Sequence, residues 1–188
     1  MDYKKHWEKA LTISTYYQQF EDKANNPDDW EYGQYIPLNL VRTKRLIKTF
    51  KLSTDDIEFI IKSKKQYWLV ISEHWCGDAA QIVPVMNKIA EQSKDLIEIR
   101  IILRDEYPDL INAHLTNSGK AVPKLIQLNS EFNLIKDWGP RPIEAQKIVD
   151  DWKKDPDNKP HYAETLHKWY ATDKQQGTKK ELLKVIHF

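Results

Sequence analysis

The chain has little of four things, and each shortage excludes something. Cysteine occurs once in 188 residues, at position 76, so no disulfide can form within the chain. Glycine occurs five times, and neither G-x-G-x-x-G nor G-x-x-x-x-G-K-[ST] is present, which removes the support for a glycine-rich phosphate loop. Charge of one sign is missing as well. The 29 Lys and Arg against 28 Asp and Glu leave a net of +1, without the basic excess of a dedicated nucleic-acid binder. Apolar runs are short, Trp68–Ile71 being typical, so nothing in the sequence is expected to span a membrane. The opening MDYKKHWEKA is charged and lacks an apolar core, so it does not read as a secretory signal. The expected location is the cytoplasm, a reducing compartment.

What is present describes a globular chain. Hydrophobic residues make up 40% and charged residues 30%, enough to bury a core. Helical spacing of Trp7, Ala10, Leu11, Tyr17 and Phe20 predicts one helix over 1–24, ended by Asn25-Asn26-Pro27. A second helix is expected over about 38–50. A short third follows, with Ser53 as its N-cap. The period then changes. Tyr67–Ile71 reads as a buried strand, 78–93 as a helix, and Ile97–Leu103 as a strand. Asp109–Leu115 reads as a short helix, and Lys124–Leu128 and Phe132–Asp137 as strands. Pro142 suits a first helical position, 155–160 a turn, and Tyr162, Leu166, Trp169 and Tyr170 a further helix. Thr178 with Glu181 predicts a capping box before a last helix. The expected organisation is one compact unit, with a helical N-terminal extension over 1–64 and a β-α-β-α-β-β core with C-terminal helices over 65–188.

One motif carries chemistry, Trp75-Cys76-Gly77-Asp78-Ala79, between a buried strand and a helix. A cysteine at a helix N-terminus meets unpaired N–H groups and the positive end of the helix dipole, and both favour the thiolate. Asp78 opposes this with a like charge. The plainer reading of Cys76 is a small buried hydrophobe. His74, Cys76 and Asp78 are metal-capable but lack the spacing of a zinc module and an evident fourth ligand. His161 and His167 are six apart, a poor pairing on one helix face. The eight Lys and Arg among residues 39–65, Arg42 included, read as a solvated face.

The segment Trp68–Ala79 resembles the first strand and active-site turn of the thioredoxin superfamily. Pro84 falls where thioredoxins carry a proline in the following helix, and Val122-Pro123 precedes a strand as the superfamily's cis-proline does. With Trp138-Gly139-Pro140-Arg141-Pro142, the chain looks most like a bacterial thioredoxin-like group with W-C-G-D and W-G-P-R-P motifs. The resemblance implies an α/β thioredoxin-like fold and thiol–disulfide exchange with Cys76 as nucleophile. It implies a groove in which Trp75, Gly77, Asp78, Val122 and Pro123 meet the substrate, Pro123 exposing the Val122 backbone to an extended chain. Two departures matter. Ala79 stands where the second cysteine belongs, and Val70 where a buried acid belongs. A mixed disulfide on Cys76 would then need an external low-molecular-weight thiol as co-substrate, with no resident cofactor or metal. The alternative is a redox-inactive binding module for extended polypeptides. A metal-dependent enzyme is the third reading. Arg141 is expected to pair with an acid and hold the C-terminal helix. An exposed Cys76 would also permit an oxidised intermolecular dimer; the native oligomeric state is left open.

Overall fold

The β-branched and leucine-rich runs become strands because both faces of the central ones are covered. β2 (Gln66–Ser72) is buried along almost its whole length, and Trp68, Leu69, Val70 and Ile71 have no exposure. A computed structural model describes residues 1–154 and 162–187. Its sheet has five strands in the order β1-β3-β2-β4-β5, with β1 (Leu11–Thr12), β3 (Ile97–Leu103), β4 (Lys124–Asn129) and β5 (Leu134–Trp138). β2 runs parallel to β3, with Val70 opposite Ile101, and antiparallel to β4, with Val70 opposite Leu125. β1 and β5 close the two edges, each antiparallel to its neighbour.

Before the central strands come α1 (Tyr3–Lys9), α2 (Ile13–Asn25), α3 (Ile36–Thr49) and α4 (Thr54–Ile60). The single helix expected over 1–24 is therefore two, separated by β1. Asp2 caps α1 through Lys5 N and Thr12 caps α2 through Thr15 N, while Leu11 pairs with Ile101 of β3. A two-residue strand pairing across the chain leaves no local periodicity to read. Ser53 caps α4 as expected, and Asp56 completes a capping box.

α5 (Gly77–Glu91) carries Pro84 within it and lies between the sheet and α3, buried on nearly every side. α6 (Pro108–Ala113), α7 (Ile143–Lys154), α8 (Tyr162–Asp173) and α9 (Gln176–Ile186) complete the described elements. The turn expected over 155–160 lies outside the described residues. Pro142 stands just ahead of α7, its carbonyl accepting from Gln146 N at 2.8 Å. The capping box expected at Thr178 is overturned. α9 begins two residues earlier, after left-handed Gln175, and Thr178 is fully buried inside it. Glu181 instead accepts from Trp138 Nε1 at 2.9 Å and Ile143 N at 2.8 Å. The free carbonyls at the end of α9 are met from the sheet. Gln127 donates to Val185 O at 2.8 Å and Gln66 to Ile186 O at 3.0 Å, all four residues buried. Among the described residues no helix is long and apolar enough to cross a membrane.

Candidate functional site

Cys76 is the N-cap residue of α5, in extended conformation, with no side-chain bond to the helix. Its thiol donates instead to the carbonyl of Val122 at 3.2 Å, and Cys76 is only 8% exposed. The Val122–Pro123 bond is cis, as the resemblance implied; so is Gly139–Pro140, which the sequence did not mark. Cys76, Trp75, Gly77, Asp78 and Val122 all line one cleft of about 490 Å³. Pro123, which follows Val122, is not among the groups lining it. A hollow of similar size, about 480 Å³, lies between β5, α7 and α9, and no cysteine or histidine among the described residues reaches it.

The sequence sets the helix terminus against the Asp78 charge at this thiol, and burial weighs in on the side of Asp78. Burial pushes Cys76 up to about 12, and the Asp78 charge adds to this. The backbone N–H groups of Ala79 and Asp78 and the charge of Arg141 act the other way and lose. The helix terminus does reach the sulfur; desolvation outweighs it. Cys76 is not the exposed thiol that an oxidised intermolecular dimer would need.

Asp78 is itself buried and fully engaged. Arg141 donates to Oδ2 through Nε at 3.1 Å and through Nη2, and Tyr170 donates to Oδ1 at 2.6 Å. Burial works against the Arg141 charge, but Asp78 overrides it and holds that guanidinium above its ordinary pKa. Burial, then Asp78, pushes Tyr170 well above the tyrosine range. Arg141 also donates to Gln146 of α7 at 2.9 Å. It therefore anchors a C-terminal helix, as expected, and lines the cleft as well.

Several residues that hold the site carry no sequence signal. Asn39 of α3, 1% exposed, donates to the carbonyls of Trp75 at 2.8 Å and His74 at 3.3 Å, clamping the turn before Cys76. Arg42 donates to Asn39 Oδ1 at 3.0 Å and so faces the site, not only solvent. His167 of α8 packs over Gly77: a Cβ there would lie 2.9 Å from its Cε1. Burial, then Arg42, lowers the His167 pKa. His161 lies outside the described residues. His74 is turned inward, stacked on Tyr16 at 4.4 Å, its Nε2 donating to Tyr16 O at 3.1 Å. Burial, then Lys23, holds it down to about 3. Among the described residues no three metal-capable side chains cluster. Glu73 accepts from Asp105 N at 3.0 Å, and burial pushes it up to about 7.

A parallel–antiparallel sheet whose central strand ends at a helix-capping thiol, facing a cis-proline loop, defines a protein of the thioredoxin type. Residues 26–153 match the family described as Thioredoxin, and the chain belongs to that family. It is 30% identical over 73 residues to thioredoxin Y1, chloroplastic, of Arabidopsis thaliana, and 31% identical over 81 residues to thioredoxin Y2, chloroplastic, of the same plant. These matches cover 38% and 43% of this chain and 42% and 46% of the relatives, less than half of their length. Among solved structures, a protein of unknown function, PA1234, from Pseudomonas aeruginosa superposes with a TM-score of 0.60 at 17% identity, over 94% of this chain and 92% of that one. An HIV epitope-scaffold superposes with a TM-score of 0.63 at 16% identity, over 99% and 98%. Both likenesses concern the fold alone.

Proposed function

We propose that the chain is a thioredoxin-fold binding module that grips an extended polypeptide along the cleft beside Cys76, with Cys76 kept as a thiol. The observation that carries this reading is the state of Cys76: 8% exposed, donating to Val122 O, and pushed up to about 12. A thiol so covered is held toward its neutral form, whereas exchange needs the thiolate. Ala79 and Val70 support the reading, since each replaces a part of the dithiol machinery. The Val122 N–H has no hydrogen-bond partner among the described residues and is the group an added chain would use.

The second reading is monothiol exchange. It is favoured by the N–H groups of Ala79 and Asp78 and the Arg141 charge, all of which favour the Cys76 thiolate. In that reading Cys76 Sγ attacks a substrate disulfide, forming a mixed disulfide and releasing one substrate thiolate. An external low-molecular-weight thiol then attacks the adduct, leaves joined to the substrate sulfur, and Cys76 regains its proton from solvent.

Alkylation of Cys76 by iodoacetamide against pH separates the two, with no second thiol to correct for. Binding with a stored thiol expects a slow rate that climbs through pH 9 without levelling. A fast rate that levels below about pH 8.5 would transfer the assignment to exchange. Ala79→Cys gives an independent reading: gained insulin reduction would mean a competent site lacking its resolving thiol, and no gain supports the binding module.

A further inference from the structure

Among the described residues lining the cleft beside Cys76 the one carboxylate is Asp78, and Arg141 and Tyr170 occupy both its oxygens. Among the described residues lining it, Lys120 is the cation left without an acidic partner, while Arg104 is shared with Asp105. The Arg104 guanidinium lies 4.7 Å over the Trp75 ring, donates to Asp105 at 2.7 Å and to Lys120 O at 3.5 Å, and its side chain is 21% exposed. Lys120 is exposed and has no acidic partner among the described residues. Beside these cations stand aromatic rings. Tyr32 is 47% exposed with its ring 5.3 Å from that of Trp75, and Tyr35 is 53% exposed. On the far side of Trp75 a second hollow of about 280 Å³ is lined by Glu31, Glu73, Asp105 and Glu106, with Lys23 as its cation. Trp75 lines both hollows and so forms a ridge between a cationic and an acidic one.

Resting on the binding reading above, we propose that the cleft selects a polypeptide in which an acidic side chain sits next to an aromatic or aliphatic one. The apolar residue covers the rim formed by Trp75 and Tyr32. The carboxylate reaches Lys120, the cation with no acidic partner among the described residues, and competes with Asp105 for Arg104. The hollow beyond Trp75 repels an acid and confines it to the Lys120 side. Charge alone would also admit a small anion. The half-exposed tyrosines and the unpaired Val122 N–H favour a chain, which uses all three features at once.

Fluorescence anisotropy with labelled peptides of one length tests this, each with a central Phe flanked by Asp, by Ser or by Lys. The Asp peptide is expected to bind about five- to tenfold tighter than the Ser peptide at low salt and the Lys peptide to bind more weakly than either. The gap should shrink as salt is added. In Lys120→Glu, a change at an exposed position, the order of the Asp and Lys peptides should reverse. Equal affinity for all three peptides, unaltered in Lys120→Glu, would overturn the charge selection and leave the groove reading standing. Failure of even the Ser peptide to bind would take down both. Displacement of the Asp peptide by inorganic phosphate as readily as by unlabelled peptide would make the site one for a small anion and overturn the polypeptide assignment.

Discussion

Asp78 acts on two buried neighbours in opposite senses. Its charge disfavours ionisation of Cys76, and the same charge is what allows Arg141 to remain buried and ionised. The side chains of the pair are 7% and 10% exposed, so water screens little of the interaction. Asp78→Asn should therefore do two things that a merely structural residue would not do together. It leaves Arg141 without a counter-charge and should cost about 3–5 kcal/mol in urea unfolding. It also removes a cause of the raised thiol pKa, so iodoacetamide should modify Cys76 several-fold faster at pH 8, though burial, the larger cause, stays in place. Faster alkylation with no loss of stability would mean that Arg141 finds another partner. Lost stability with unchanged alkylation would mean that burial alone sets the state of the thiol.

At the scale of elements, the start of α5 is held by helices distant in sequence. Asn39 of α3 binds the turn before it, and His167 of α8 closes over Gly77. A methyl group at Gly77 would meet His167 Cε1 at 2.9 Å and Nε2 at 3.1 Å, the end of a side chain that can turn aside at some cost. Gly77→Ala should destabilise the protein by about 1–3 kcal/mol through that overlap. In a His167→Ala background the overlap is gone and alanine's better helix propensity remains, so the same change should be neutral or stabilising by up to about 1 kcal/mol. The double-mutant cycle reads this directly. Equal costs in both backgrounds would show that α8 does not press on α5. Such couplings mark the limit of what was legible beforehand. The strands were legible because Val, Ile and Leu runs are buried by local sequence, as in Ile97–Leu103, where both ends agree. Cys76, Asp78 and Val122 were legible as neighbours because the motifs of the resembled family bring them together, and all three line one cleft. Two things were not. β1 exists only through its pairing with β3, and Asn39, His167 and Tyr170 reach the site through packing that leaves no pattern in the chain. The misplaced cap at Thr178 has the same origin: Thr-x-x-Glu reads locally as a capping box, while Thr178 is inside α9 and Glu181 ties α9 to β5 and α7.

For the whole molecule, the turn before Cys76 contributes two opposed slopes to the response of stability to pH, because Glu73 and His74 stand side by side and buried. Glu73 is pushed from 4.5 up to about 7, burial being the main cause, so the folded state holds a proton that the unfolded state has released. Its contribution is present below pH 4.5 and is lost as pH rises through 7. His74 is held from 6.5 down to about 3, again chiefly by burial, so the unfolded state takes up a proton that the folded state refuses. Its contribution is present above pH 6.5 and is lost as pH falls through 3. Between pH 4.5 and 6.5 the two slopes oppose each other and nearly cancel. Below that window the His74 slope stands alone of the two and makes stability fall with acid, joined by Asp56 and Asp109, whose pKa values are lowered. Above it the ionised Glu73 is a standing cost, partly met by its bond from Asp105 N. Glu73→Gln keeps an oxygen to accept that bond and removes the charge. The variant should match the wild type at pH 4, where Glu73 is protonated, and exceed it by up to about 3 kcal/mol at pH 8. Urea unfolding at the two pH values is the measurement. A gain of equal size at both would mean that the Glu73 pKa is the same in the folded and unfolded states, and that the gain comes from something other than its charge.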